Sequence, residues 1–177
     1  MVKLPEGVDI NNLIDDLKIF SWEAADILLQ YSQIIKKSAY KTNIIKNDDA
    51  KDPVTIADLE VNDLILKRMQ CKYPNIGWKY LSEENAKDDP NNCDINSEWV
   101  WMLDPLDGTK DFIQGTGNYA MHFALNYKKK PFLGVVLIPE RDELWIANGE
   151  NVWCDRRDHL NRELNSFSKK ILCEMTL

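Results

Sequence analysis

Apolar residues fall three and four apart along the first part of the chain: Ile10, Leu13, Ile14, Leu17, Phe20, Ala24, Leu28, Tyr31 and Ile35. That spacing stacks them on one face and predicts a long amphipathic helix over residues 10–36. A polar, lysine-rich stretch, KTNIIKNDDAKD, follows, and Pro53 closes it as a loop. A second stripe, Val61, Leu64, Ile65 and Met69, predicts a helix from about Ala57 to Lys72, stopping before Pro74. Beyond it the period shortens. Trp78–Ser82, Trp99–Asp104, Tyr119–Tyr127, Phe132–Ile138 and Glu143–Ala147 read as short strands. Turn signals at KKKP and PERD separate the last three, and Asn148-Gly149 follows the final one. Such short connections make antiparallel neighbours, because a parallel crossover needs a dozen or more residues. Two helices therefore precede an antiparallel meander, an α+β arrangement, with Asn85–Ser97 as a polar surface loop.

With 177 residues, 44% of them hydrophobic, the chain can bury one good core. Its net charge of −7 argues against binding a nucleic-acid polymer, which needs a basic face. The one basic run, Lys128–Lys130, reads as a solvated turn. No stretch has the roughly 20 apolar residues of a membrane span, and the first residues lack a signal-peptide pattern, so a cytoplasmic protein is expected. Cys71, Cys93, Cys154 and Cys173 show no C-x-x-C spacing and read as reduced thiols. His122 and His159 lie far apart; His122, inside an apolar alternation, reads as a core or sheet-face residue. A histidine-based nucleophilic mechanism has little to build on.

The chemistry concentrates in WMLDPLDGTKDF, residues 101–112. Asp104 closes an apolar run, Pro105 is expected to end the ladder because it has no N–H to donate, and Asp107 follows in the turn. Gly108 supplies conformational freedom where backbone approaches a ligand, and Thr109 reads as an N-cap. Free amides at a helix start bind phosphate. Two further acids stand at element ends: Glu83, with Glu84 beside it, after the strand WKYLS, and Asp58 at the start of the second helix. If neighbouring strand ends share one rim, Asp58, Glu83, Asp104 and Asp107 converge into an oxygen-rich set that suits Mg²⁺. Acidic pairs at strand ends are also common solvated surface, so on chemistry alone the two readings stand level.

Three segments in order resemble one family. DPLDGTKDF (104–112), LSEE (81–84) and DPVTIAD (52–58) are similar to the signature segments of the lithium-sensitive, magnesium-dependent phosphatases that include the inositol monophosphatases. The likeness runs from the first helix to about Cys154, and Lys110 with the other two segments resembles the 3′(2′),5′-bisphosphate nucleotidase branch. That branch removes the 3′-phosphate of 3′-phosphoadenosine 5′-phosphate, a by-product of sulfate assimilation, to give AMP.

The resemblance implies that Glu83 and the Leu106 carbonyl hold a first Mg²⁺, that Asp104 bridges two ions, and that Asp107 holds the second. Asp58 and Thr109 would orient and activate the attacking water, and the Gly108 and Thr109 amides would hold the substrate phosphate. Glu84 is either a support behind Glu83 or a solvated neighbour. Two cations can lower the pKa of water, so no histidine base is required. The family's second half, with a W-D-x-A-A-G segment that completes the second metal position, has no counterpart here; Trp153-Cys154-Asp155 is not that segment. The expectation is the N-terminal half of the sugar-phosphatase fold. Residues 1–158 would form the metal-binding domain, and 159–177 would open a truncated second one. Its uncovered apolar face would favour homo-oligomers. The alternatives are a phosphatase of inositol or fructose phosphates, and a non-catalytic fragment that binds metal or phosphate.

Overall fold

The computed structural model describes residues 2–37, 45–47, 54–88, 97–149, 151–157 and 167–173. The first helix, α1, runs Ile10–Lys37, one residue beyond its expected end. Asp9 caps it, its Oδ1 accepting from the amides of Asn11 and Asn12, both at 3.0 Å. Two short strands, β1 (Ile45–Asn47) and β2 (Val54–Thr55), pair with each other. The rest of the loop expected there, including Pro53, lies outside the described residues. Helix α2 covers Ile56–Lys72 and buries Val61, Ile65 and Met69, three residues of its predicted stripe.

A seven-stranded sheet follows in simple order: β3 (Lys79–Ser82), β4 (Trp99–Asp107), β5 (Ala120–Tyr127), β6 (Lys130–Ile138), β7 (Glu143–Asn148), β8 (Asn151–Arg157) and β9 (Phe167–Cys173). Five of these strands match expectation within a few residues; β8 and β9 were not anticipated. Strands β4 to β9 pair antiparallel, as short connections require. The β5–β6 turn uses Lys128 and Lys129, both at positive φ (48° and 66°), which suits a two-residue hairpin loop.

The β3–β4 pair is parallel, correcting the antiparallel meander read for the strands while leaving the sheet largely antiparallel, as expected. A helix, α3 (Glu83–Asp88), opens the connection where a polar loop was expected; residues 89–96 of that loop lie outside the described set. A second correction concerns Pro105. Strand β4 continues through it to Asp107. The ladder with β3 has already ended at Leu103, and the ladder with β5 slips between Asp104 and Asp107. The missing N–H therefore costs no paired bond at that bulge.

Helices α1 and α2 pack on one sheet face. Leu13, Leu17, Leu28, Val61 and Ile65 meet Trp101, Phe123, Leu125, Val135 and Ile146 in a single core. Trp101 stacks on Phe123 at 4.4 Å, and Trp78 meets Trp101 edge-on at 5.5 Å. The opposite face is more open: Met102 is 47% exposed, and Ala124, Val136 and Trp145 are only partly buried. Among the described residues no helix is long and apolar enough to cross a membrane. Cys71 is an exposed free thiol and Cys154 a buried one.

Candidate metal and phosphate site

Asp58 takes its position from helix capping. It is the third residue of α2, and its Oδ2 accepts bonds from the Thr55 amide (2.9 Å) and the Thr55 hydroxyl. The carboxyl is 3% exposed. Burial pushes its pKa up, the bonds from Thr55 pull it down, and the charge of Glu83 pushes it up again, leaving it above the ordinary range. Asp58 thus lies within electrostatic reach of Glu83.

Strand register brings those acids together. In the parallel ladder Ser82 lies beside Leu103, so the next residues, Glu83 and Asp104, become neighbours. Glu83 begins α3, where an acid is favoured by the helix dipole. Glu84 is buried. Asp104 Oδ1 accepts from the Leu106 amide at 3.1 Å. Burial, the nearby charge and hydrogen bond of Glu83, and the charge of Asp107 together raise Asp104 to about 7. Among the described residues no lysine or arginine pairs with Asp58 or Asp104. Asp107, at the end of β4, is exposed, with His122 Nε2 at 3.9 Å from its Oδ2.

The turn after these acids is tightly built. Gly108 sits at φ 85° as the N-cap of α4 (Thr109–Gln114), one residue earlier than the expected cap at Thr109. A Cβ there would lie 2.7 Å from the Asn118 carbonyl oxygen, so both conformation and space demand glycine. The Thr109 hydroxyl has two acceptors, the Leu106 carbonyl at 3.0 Å and Asp58 Oδ1 at 3.4 Å. The turn is held from behind: Tyr119, next to Asn118, donates to Glu140 at 3.0 Å, and Glu140 also accepts from Ser32 (2.6 Å) and Lys36 (2.7 Å). Burial raises Glu140, but these bonds outweigh it and hold the carboxyl below its ordinary value. No reading of the sequence singled out Glu140.

Glu83, Asp104 and His122 line a recess of about 460 Å³ on the open face of the sheet, with Met102, Ala124 and Asn126. A larger cavity, about 600 Å³, lies between Asp9, Asp15, Asp16, Lys72 and Tyr73. That cavity sits at the far end of α2, about 21 Å along the helix from Asp58. Its acid Asp16 is already neutralised by Lys72 (3.2 Å) and bonded by the Tyr73 hydroxyl (2.7 Å), so it offers little to a cation.

Of the residues expected at the site, Asp58, Glu83, Asp104, Leu106, Asp107, Gly108 and Thr109 thus border one rim. Among the described residues no three His, Cys, Asp or Glu side chains are closed into a ready coordination shell. The donor set nevertheless fits a hard divalent ion: carboxylates crowded against like charge, with a carbonyl alongside.

A fold of this kind is shared with proteins of known family. The inositol monophosphatase family model matches residues 14–175, and the chain belongs to that family. It is 35% identical over 132 residues to a 3′(2′),5′-bisphosphate nucleotidase, CysQ, of Salmonella typhimurium, covering 73% of this chain and 49% of that protein. It is 33% identical over 115 residues to inositol monophosphatase 2 of Solanum lycopersicum, covering 65% and 43%. The extragenic suppressor protein suhB of Bartonella henselae superposes with a TM-score of 0.65 at 24% identity, over 82% of this chain and 53% of that one. The chain spans about half the length of the curated relatives it matches.

Proposed function

We propose that these residues form the metal- and phosphate-binding part of a Mg²⁺-dependent phosphomonoester hydrolase, acting on a small phosphorylated nucleotide. The observation that carries this reading is Asp104, raised to about 7 by burial and by Glu83 and Asp107, with no lysine or arginine among the described residues beside it. Acids held that close together are stabilised by a divalent ion. Glu83, Asp104 and the Leu106 carbonyl would hold one Mg²⁺, and Asp104 with Asp107 a second. When bound, such ions supply a polarised phosphoryl group and a water of lowered pKa.

The chain's own groups supply the rest. The Thr109 hydroxyl, within reach of Asp58 Oδ1, orients the attacking water, and buried Asp58 takes up its proton. The Gly108 and Thr109 amides point the phosphate at that water. Buried Glu84 fixes the start of α3 behind Glu83. Residues 1–158 carry this part, and β9, within residues 159–177, joins the same sheet beside β8.

The nucleotidase relative favours 3′-phosphoadenosine 5′-phosphate as substrate, with AMP as product. The likeness to an inositol monophosphatase favours the second reading, an inositol phosphate. Phosphate release from the two compounds, measured on a full-length relative and on this chain at saturating Mg²⁺, separates them. The full-length form is expected to prefer the nucleotide. This chain is expected to turn over barely or not at all, because the wall positioning the substrate comes from elsewhere, and misplacement by about 1 Å can cost about 10²-fold. Equal rates for both proteins would show that these residues suffice, and preference for inositol 1-phosphate would replace the nucleotide reading.

A further inference from the structure

One side chain on this rim has no part in the reading above. His122 stands on β5 directly across the ladder from Asp104. It lines the same recess as Glu83 and Asp104, and its Nε2 lies 3.9 Å from Asp107 Oδ2. Its side chain is 45% exposed and Asp107 is its one charged partner among the described residues. The flanking cross-strand pair, Met102 and Ala124, brings no group that competes for the imidazole.

The spacing suits a shared ion. Two donor atoms each about 2.1 Å from one octahedral ion lie about 3 Å apart when adjacent and about 4.2 Å when opposite. A separation of 3.9 Å lies between those two values, so a modest rotation of these two exposed side chains would set both donors on one ion. Imidazole nitrogen suits Zn²⁺ far better than Mg²⁺, which selects oxygen. As a bare surface ion pair the contact would contribute little, since both groups are well exposed.

We propose that His122 supplies a nitrogen ligand to the cation held by Asp104 and Asp107, so that this position binds a borderline metal ion such as Zn²⁺ in preference to Mg²⁺. The proposal rests on the metal-site reading above. It makes His122 the residue that sets which ion the second position takes.

The chain has two histidines, His122 and His159, so its imidazole ¹⁵N spectrum is simple to assign. The 177-residue protein is titrated with Zn²⁺ as a diamagnetic probe, which needs no variant. The His122 Nε2 signal is expected to move to its metal-bound position. Calorimetry with Zn²⁺ and with Mg²⁺ on wild type, His122→Asn and Asp104→Asn completes the test. His122→Asn is expected to weaken Zn²⁺ about tenfold or more and Mg²⁺ less than about threefold, and Asp104→Asn to weaken both. If Asp104→Asn weakens both ions while His122→Asn lowers neither selectively and the His122 signal stays fixed, the metal site stands and the proposal is wrong. If Asp104→Asn leaves both affinities unchanged, the metal-site reading fails and takes the proposal with it.

Discussion

Two groups of charged residues sit towards opposite ends of the same sheet: the β8 acids lie against lysine and arginine, whereas Asp104 has neither beside it among the described residues. On β8, Asp155 and Arg157 face α1. Lys18 Nζ lies 3.1 Å from Asp155; Arg157 donates to Asp142 at 3.1 Å and Asp26 at 2.6 Å, its guanidinium 4.9 Å from the Trp22 ring centre. At the β4 end, Glu83, Asp104 and Asp107 crowd one another, and Asp104 rises to about 7. Asp155 and Asp142 are the more deeply buried, yet each has its cation. Burial alone therefore does not mark a site. A buried acid beside a fixed cation fastens two elements; acids left facing one another make a place for something that diffuses in.

The sharpest way to break this contrast is to remove the fastening cation. Arg157→Leu removes the guanidinium beside Asp142, which is wholly buried, and is expected to cost about 3–5 kcal/mol in urea unfolding. A loss below about 1 kcal/mol would show that the β8 charges are not coupled as described. Next in size is Gly108→Ala at the turn behind the acids. The positive φ and the 2.7 Å approach to Asn118 should cost about 1–3 kcal/mol, again read by urea unfolding.

A third effect separates the clusters by pH. Asp104 is raised when folded, so metal-free protein binds more protons than the unfolded chain between about pH 4 and 7. Its contribution is present at low pH and is lost as pH rises through about 7, so metal-free stability should fall across that window. In Asp104→Asn the fall should be shallower. A variant at the β8 cluster should keep the wild-type slope there. Smallest of all, the exposed Lys67–Asp63 pair at 3.7 Å should matter little: Lys67→Ala is expected within about 0.5 kcal/mol of wild type.

The two clusters also differ in how far the sequence exposes them. Asp104, Asp107, Gly108 and Thr109 stand within six residues at the end of β4, and their chemistry is legible from that spacing. Asp58 is legible as a capping residue, and Glu83 from the strand before it. Helix α1 was readable almost to the residue because its apolar spacing is unbroken. Strand β8 was not, because Asp155 and Arg157 face inward against partners supplied by α1 and the β6–β7 turn, which reverses the usual hydrophobic alternation. The parallel β3–β4 pairing was missed although its signal was present. Sixteen residues, 83–98, separate the two strands, long enough for a crossover, and two acids at its start favour a helix there. His122 was readable as a sheet-face residue. Its place opposite Asp104 depends on strand register, which a bulge had already shifted at the neighbouring residues.

The claim that the β4 acids await a cation is tested most directly by thermal unfolding of this chain at pH 7.5 against Mg²⁺ concentration, with Asp104→Asn in parallel. An ion bound to the folded state alone stabilises it by about 1.4 kcal/mol at ten times its dissociation constant, roughly 3–6 °C for a chain of this size. The wild-type midpoint is expected to climb by that amount, and the midpoint of Asp104→Asn to stay flat. A wild-type midpoint indifferent to Mg²⁺, or two proteins climbing together, would contradict it.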